Sequence, residues 1–141
     1  MPGGHGRDPV ECVVVGDGFV PAPELFRLLD AFEHDAGEKG YKDIKALYSY
    51  CRNSACSIGR ILLHLFQVRD PKALKASDSL CTALQLTNFW QDFSRDLPRG
   101  RLTLPRKEAK RFGVPIRPSL IAPDGAFENL LKQLGKETRK L

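Results

Sequence analysis

Apolar residues recur at intervals of three and four over most of the chain, which is the period of an amphipathic helix. A first helix is predicted from about Pro23 to Ala36, because a proline opens the segment and Gly37 follows it. Its apolar stripe consists of Leu25, Leu28, Leu29 and Phe32. The pattern therefore places an amphipathic helix early in the chain.

A second helical region begins near Asp43, a residue type that favours the N-cap, and continues through an apolar stretch ending at Phe66. A break in this region is expected around residues 57–59. The longest helix is predicted for residues 71–96, because it starts with a proline and is followed closely by Pro98 and another glycine. These helices form the centre of the predicted fold.

A short basic helical turn closed by Gly113 follows, and then a proline-rich connector over residues 114–123. The last amphipathic helix starts after Asp124 and is expected to turn inward Phe127, Leu130, Leu131 and Leu134. Residues 1–22 show no consistent period and are expected to form an irregular lead-in. The chain is thus predicted to be all-α, with one helical domain over residues 23–141.

The composition is that of a globular protein, with 42% hydrophobic and 28% charged residues. Arg60 and His64 interrupt the most apolar stretch, and the start of the chain does not have the pattern of a secretory signal. A cytoplasmic location is therefore expected. The four cysteines form no C-x-x-C pair and have no histidine partner at zinc-finger spacing, so we expect buried free thiols.

The chain has a formal net charge of +5, and its basic residues concentrate between Arg95 and Arg117. No recognition-helix pattern or aromatic-basic RNA motif accompanies them, which argues against nucleic acid as a partner. A diphosphate in a pocket and an anionic lipid surface both fit this charge, so peripheral association with a membrane stays open. The oligomeric state is left open by the sequence.

Three polar residues on the longest helix, Asn88, Asp92 and Asp96, follow one another at a spacing of four. Each step of four advances about 40° around the helix, so the three side chains form a polar ridge on one face. Carboxylates one turn apart repel each other unless a cation lies between them, and Mg²⁺ does this while also binding phosphate oxygens. The spacing by itself also suits ordinary solvent-facing acids.

Two segments around this ridge resemble signatures of the squalene/phytoene synthase family. Residues 84–105, LQLTNFWQDFSRDLPRGRLTLP, resemble its second acidic signature, and residues 50–60, YCRNSACSIGR, resemble its tyrosine-cysteine segment. With LLDAFEHD at residues 28–35, the resemblance covers Glu24 to Val114 and continues more weakly to the end of the chain. It implies a partial helical bundle of the isoprenoid synthase type, truncated at both ends.

Within the family, the form NFWQD is most similar to the hydroxysqualene synthase branch, since other branches usually carry arginine where Gln91 stands. This resemblance implies an isoprenoid diphosphate substrate, presqualene diphosphate, converted with water and Mg²⁺, or Mn²⁺ in its place, to hydroxysqualene. The catalytic residues it implies are Tyr50, Asp92 and Asp96, and Asn88 joins the two aspartates as a metal ligand. The implied substrate-binding residues are Asn88, Phe89, Gln91, Arg99 and Arg101. The three ridge side chains are expected to share one groove with Tyr50.

The chain also departs from the family pattern at several positions. Thr103 stands where the family usually has tyrosine, and Cys56 stands where this branch usually has asparagine. The first acidic motif of the family is missing, because Asp30 and Asp35 do not reproduce its spacing. We therefore expect impaired activity, and an exposed apolar face that includes Leu28, Phe32, Leu62 and Phe66.

Two alternatives remain at this point. In the first alternative, the chain is a fragment of a presqualene diphosphate synthase or a phytoene synthase, and Gln91 argues against this interpretation. The other alternative is a non-catalytic helical module that binds an acidic protein or lipid surface through its basic region. Magnesium-dependent binding of an isoprenoid diphosphate separates the enzyme-derived interpretations from this module.

Overall fold

The computed structural model describes residues 12–15, 18–37, 40–117, 121 and 124–141, and its architecture is helical as predicted. Within these ranges, two paired strands and six α-helices follow one another. Their bounds are β1 (Cys12–Val15), β2 (Gly18–Pro21), α1 (Ala22–Ala36), α2 (Ile44–Cys51), α3 (Ser57–Leu65), α4 (Pro71–Asp96), α5 (Arg106–Arg111) and α6 (Gly125–Thr138). None of the helices described is both long enough and apolar enough to cross a bilayer.

The early part of the chain differs from the irregular lead-in expected there. Strands β1 and β2 pair antiparallel, with Val13 opposite Val20. Consecutive valines favour a strand once a partner strand is present, but so short an apolar run has no readable period. Residues 1–11 of the expected lead-in lie outside the described residues.

Side-chain caps fix the starts of three helices. The Asp43 carboxylate accepts a hydrogen bond from the Ala46 N–H at 2.9 Å, and the Asp124 carboxylate accepts one from the Phe127 N–H at 3.0 Å. Asp70 does the same at the start of α4, accepting from the Lys72 N–H at 3.1 Å. Each carboxylate satisfies a backbone donor that has no partner inside its helix, so the predicted caps at Asp43 and Asp124 are confirmed.

The break expected around residues 57–59 lies slightly earlier in the chain. Residues Arg52–Cys56 form a π-helical turn that joins α2 to α3 without interrupting the helical path. The Ser57 hydroxyl donates to the Arg52 carbonyl at 3.2 Å and so occupies an acceptor within this turn. Tyr50 lies just before this wider turn and Cys56 is its last residue, and helical periodicity does not reveal such an irregularity.

Close contact between α3 and α4 requires a glycine at position 59. A Cβ atom there would lie 2.6 Å from Oγ of Ser77 and 2.7 Å from Sγ of Cys81. Both distances are shorter than a van der Waals contact, so any larger residue would force these side chains or the two helices to shift.

The core consists of two adjoining clusters along α4. One contains Leu47, Cys51 and Leu86 and the aromatic rings of Tyr41, Tyr50 and Phe89. The other contains Phe93, Leu104, Ala109, Val114, Leu130 and Leu134. The inward positions predicted for Leu130 and Leu134 are confirmed, and Phe127 and Leu131 pack against them from the edge.

The cysteines behave as expected where their side chains are described. Cys51 and Cys56 are buried free thiols, and Cys81 is partly buried. Burial, with a contribution from the neighbouring Cys56, raises the pKa of the Cys51 thiol to about 12. A thiol with so high a pKa stays protonated and chemically inert. The side chain of Cys12 lies outside the described residues.

The apolar stripe of α1 does not face the core as its period suggested. Leu29 is 54% exposed and Phe32 is 61% exposed, whereas the small Ala22 and Ala31 are buried. Helix α1 packs closely on its neighbours through these alanines, and its large side chains extend the surface instead. The expectation of an exposed apolar face is confirmed for Phe32, Leu62 and Phe66, the last of which is 77% exposed. Leu28 is partly buried.

Candidate functional site

Tyr50, at the end of α2, lies within a cluster of aromatic rings and one carboxylate. Its hydroxyl donates a hydrogen bond to Oδ2 of Asp35 at 3.0 Å. Its ring centroid lies 5.8 Å from that of Phe89 on α4 and 5.3 Å from that of His34 on α1. The Ser54 hydroxyl in the π-helical turn donates to the Tyr50 carbonyl at 2.9 Å. Three helices and the turn thus fix the position of this phenol.

The surroundings of Tyr50 keep its hydroxyl protonated. Burial is the largest effect, and together with the hydrogen bond to Asp35 and the charge of that carboxylate it raises the pKa of Tyr50 to about 12. The positive charge of Arg101 opposes this increase. A neutral phenol donates a hydrogen bond and presents an aromatic face without adding charge to the site.

Tyr50 borders an open groove of about 370 Å³ between α1 and α4. Apolar side chains form most of the lining, and Gln85 and Asn88 contribute polar groups from α4. The groove is lined by Leu28, Ala31, Phe32, Asp35, Tyr50, Ser54, Ala55, Ile58, Cys81, Leu84, Gln85 and Asn88. The structure therefore brings Asn88 and Tyr50 to one groove, as the sequence predicted.

The two aspartates of the ridge lie further along α4 and do not line this groove. Asp92 is 49% exposed, with its Oδ1 3.7 Å from an Arg95 guanidinium nitrogen. Asp96 is only 9% exposed. Asp96 lies eight residues after Asn88, about 12 Å further along the helix and about 80° further around it, and it is not among the residues that line the groove. The expectation that all three side chains share one groove with Tyr50 is met by Asn88 alone.

The implied substrate-binding residues occupy different surroundings. Phe89 is buried in the aromatic part of the core. Gln91 is exposed on α4, and Arg99 is exposed in the 3₁₀ turn Leu97–Arg99 after it. Arg101 lines a separate cavity together with Thr103. These four residues therefore do not form a single binding surface.

We call this second space the Thr103 cavity, and its volume is about 570 Å³. It is lined by His34, Asp35, Gly40, Tyr41, Gly100, Arg101, Leu102, Thr103, Arg106 and Ile116. Asp35 lines both spaces, so the Tyr50 phenol and the Asp35 carboxylate stand between them. Neither His34, which lies in the segment LLDAFEHD, nor Arg106 was predicted to be a site residue. Two signals in the sequence pointed to this cavity, namely the implied substrate-binding role of Arg101 and the departure from the family pattern at Thr103.

The ridge offers oxygen ligands of the kind Mg²⁺ prefers, but not a closed set. Within the described ranges, no group of three or more histidine, cysteine or acidic side chains lies close enough to hold a metal ion. Asn88 and Asp92 present accessible oxygens, whereas Asp96 is nearly buried. Magnesium commonly binds one or two carboxylates and completes its shell with water and phosphate oxygens. The residues present fit an ion held in that way.

Fold and site together define a helical protein of the isoprenoid synthase class, with an amide-acid-acid ridge on its longest helix. The chain belongs to the squalene/phytoene synthase family, because the model of that family, described as "Squalene/phytoene synthase", matches residues 16–141. This match extends from the hairpin to the end of α6, and so covers both signatures identified in the sequence.

Relatives and solved structures agree with this assignment. The chain is 33% identical to a phytoene synthase of Mycobacterium tuberculosis over 80% of its own length and 39% of that protein. It is 35% identical to a hydroxysqualene synthase of Rhodopseudomonas palustris, over 69% of this chain and 33% of that one. Its fold matches the crystal structure of squalene synthase HpnC from Alicyclobacillus acidocaldarius with a TM-score of 0.67 and 35% identity, over 86% of this chain and 49% of that one. The chain thus spans less than half the length of each.

Proposed function

We propose that the α4 ridge binds the diphosphate of an isoprenoid substrate through Mg²⁺, and that the groove beside Tyr50 receives the hydrocarbon. The observation that carries this proposal is the position of Asn88, which lies at the polar edge of an apolar groove and one helical turn before Asp92. Manganese would serve in place of magnesium, since it prefers the same oxygen ligands.

We further propose that the chain derives from the hydroxysqualene synthase branch, with presqualene diphosphate as its substrate. Gln91 supports this choice, because the resemblance associates glutamine at that position with this branch. Identities of 33% and 35% to a phytoene synthase and a hydroxysqualene synthase do not separate the branches, so phytoene and presqualene diphosphate synthases remain the in-family alternatives.

The residues of this chain contribute binding and orientation. When bound, Mg²⁺ would neutralise charge that develops on the departing diphosphate. Asn88 and Asp92 hold the diphosphate end at the ridge, and Arg99 supplies a further positive charge beyond it. The neutral face of Tyr50 stabilises a carbocation in the groove, most of whose lining is apolar.

This arrangement supports low activity in the isolated chain. The described part of the ridge has one accessible carboxylate, Asp92, and the groove beside it is open. Charge stabilisation in a transition state depends on groups fixed around the developing charge, and an open groove admits water. We therefore expect binding of the diphosphate, with very slow formation of hydroxysqualene.

The fluorescence of Trp90, the single tryptophan of the chain, provides a direct test of binding. Trp90 lies between Asn88 and Asp92 on α4, and its Nε1 donates to Oγ1 of Thr138 at 3.1 Å. Titration with farnesyl diphosphate should give a saturable change in Mg²⁺ and none in EDTA. Asp92→Asn should weaken binding by about tenfold or more, which corresponds to the loss of one charge-assisted contact.

Asp70→Asn provides the matched control, because Asp70 is an acid on the same helix that caps its opposite end. Equal binding by Asp92→Asn and the parent chain would contradict the proposal. Turnover is tested separately, by incubation with presqualene diphosphate and detection of hydroxysqualene by mass spectrometry. Rapid turnover that disappears in Asp92→Ala would show that this part of the site suffices.

A second candidate function is a non-catalytic module that binds an acidic protein or lipid surface. The exposed basic side chains of α5, Arg106, Lys107, Lys110 and Arg111, favour it. Such binding depends on ionic strength and is independent of Mg²⁺. Binding to anionic vesicles in EDTA, without any response to farnesyl diphosphate, would therefore favour this function over the first.

A further inference from the structure

Two polar atoms, each in a residue that lines the Thr103 cavity, are buried and have no hydrogen-bond partner within the described part of the chain. They are Oγ1 of Thr103 and Nδ1 of His34. Thr103 is only 4% exposed, so its hydroxyl is shielded from bulk solvent. A buried polar atom without a partner is unfavourable, and two in residues that line the same cavity indicate that a polar ligand belongs there.

Two arginines give this cavity a positive charge. The guanidinium of Arg106 folds back over Gly40, where an added Cβ would lie 3.4 Å from its Nη2. The Arg106 backbone N–H donates to the Tyr41 carbonyl at 2.9 Å and fixes the start of α5 beside the cavity. Glycine at position 40 thus leaves space that the guanidinium uses.

Arg101 supplies the second positive charge from the opposite segment. It is close enough to lower the pKa of both Tyr41 and Tyr50, against the stronger effect of their burial. Among the described residues that line the cavity, Asp35 is the one carboxylate, and its Oδ2 already accepts the hydrogen bond from Tyr50. With two arginines and one carboxylate, these described lining residues carry an excess of positive charge.

We propose that the Thr103 cavity is a metal-independent binding site for an oxyanion of the phosphate class, either inorganic phosphate or inorganic diphosphate. The forked guanidinium groups match the oxygens of a phosphate, and Arg101 and Arg106 would bind them. The Thr103 hydroxyl donates a further hydrogen bond, and His34 donates one from Nδ1 in the matching tautomer. The site is distinct from the α4 ridge, which needs a metal to bind the same ligands.

The test is isothermal titration of the full chain with phosphate, diphosphate and acetate in EDTA, which removes any contribution from a metal. Saturable binding of phosphate or diphosphate, with acetate much weaker, is the expected result. Whichever of the two phosphates binds more tightly identifies the physiological class. No saturable binding, or equal binding of acetate, would overturn the proposal.

Variants assign the binding to this cavity. Arg106→Gln should weaken binding by about tenfold, the loss expected for a charged hydrogen-bond donor. Lys107→Gln is the matched control, since it removes the neighbouring positive charge of α5 without lining the cavity. Equal losses in the two variants would show a diffuse charge effect and would contradict a built site.

Thr103→Val tests the hydroxyl, and its fold is checked by circular dichroism because the position is buried. A several-fold loss of phosphate or diphosphate binding with an unchanged spectrum supports the site. If Thr103→Val does not fold, the Arg106→Gln variant, at an exposed position, decides whether the cavity binds the anion. Asp92→Asn should leave binding of phosphate or diphosphate in EDTA unchanged, while it weakens the Mg²⁺-dependent binding of farnesyl diphosphate by about tenfold or more. The two proposals can therefore fail separately.

Discussion

The phenol of Tyr50 and the carboxylate of Asp35 form a hydrogen bond of 3.0 Å across fifteen residues of sequence. The pair links α2 to α1 and separates the groove beside Asn88 from the Thr103 cavity. A tyrosine implied by family resemblance is thus positioned by an acid to which the sequence assigned no role. Their coupling has a consequence that titration can measure.

Asp35→Asn should lower the pKa of Tyr50 from about 12 toward its ordinary value of 10.0. Asparagine keeps a hydrogen-bond acceptor but removes the negative charge that disfavours the phenolate. Ultraviolet absorbance titration measures the phenolate, and Tyr50→Phe identifies which titration step belongs to this residue. Asp30→Asn, an exposed acid on the same helix, should leave that step in place. An unchanged Tyr50 titration in Asp35→Asn would refute the coupling.

The ion pair between Arg60 and Asp78 should stabilise the contact of α3 with α4. Arg60 donates from Nε to Oδ1 at 2.9 Å and from Nη2 to Oδ2 at 2.6 Å, and both residues are largely shielded. Asp78→Ala should lower the free energy of unfolding by about 1.5–3 kcal/mol, the range for hydrogen bonds to charged groups. Urea unfolding at neutral pH measures this loss.

The same pair predicts a dependence on pH. The hydrogen bonds from Arg60 lower the pKa of Asp78 below its ordinary value of 3.8, against a smaller opposing effect of burial. Its contribution is therefore present above that value and is lost as the pH falls through the lower folded-state pKa. Glu128→Ala, at an exposed pair with Lys132, is the control and should change stability by about 0.5 kcal/mol or less. Comparable losses of unfolding free energy in Asp78→Ala and Glu128→Ala would contradict a stabilising role for the shielded pair of Arg60 and Asp78.

Gly59→Ala should destabilise the fold by about 1–3 kcal/mol, because the added methyl group would overlap Ser77 and Cys81. Gly135→Ala in α6 should instead stabilise it by about 0.5–1 kcal/mol, since an added Cβ there meets no atom within 4 Å. Thermal unfolding of the two variants makes the comparison. Ser77→Ala in the Gly59→Ala background should restore part of the lost stability. Equal stability of Gly59→Ala and Gly135→Ala would count against the close contact of Gly59 with Ser77 and Cys81.

The exposed apolar side chains of α1 and α3 should cause the isolated chain to self-associate. Phe32, Leu62 and Phe66 lie on neighbouring helices and are all exposed. Burial against a second copy would remove their apolar area from water, at about 1.5–3 kcal/mol for each fully buried side chain. Sedimentation velocity should show a mass that rises with concentration, and the double variant Leu62→Ser/Phe66→Ser should reduce this rise.

Leu141→Ser is the control for this prediction, because Leu141 is an exposed apolar residue at the end of the chain. It should associate as the parent chain does. A parent chain that stays monomeric at all concentrations, or a double variant that associates equally, would show that this face does not mediate contact between copies.

Local signals in the sequence account for the helices that were predicted correctly. Asp43 and Asp124 cap their helices through their own side chains, so the starts of α2 and α6 could be predicted from residue type. Helix α4 is bounded by Pro71 and the turn at Pro98, and its 26 residues match the prediction. Capping and proline effects involve only neighbouring residues, which is why no tertiary information was needed.

The surroundings of the acidic ridge could not be predicted from residue spacing along one helix. Residue spacing placed Asn88, Asp92 and Asp96 on one helical face, but exposure depends on what packs against each turn. Asp96 is nearly buried beside the segment that follows α4, whereas Asn88 faces the groove. A shared helical face therefore does not establish a shared binding site.

The sequence by itself determined the helices, their caps and the family. The helices and caps depend on residues close together in the chain, and the family depends on sequence motifs. Only the tertiary structure decided that α1 packs through Ala22 and Ala31 rather than through its leucines. Only it brought Asp35 to Tyr50, and His34, Arg101, Thr103 and Arg106 to one cavity. Those residues are distant in sequence, and their proximity arises from helix packing, in which small side chains permit close approach and large ones are left outside.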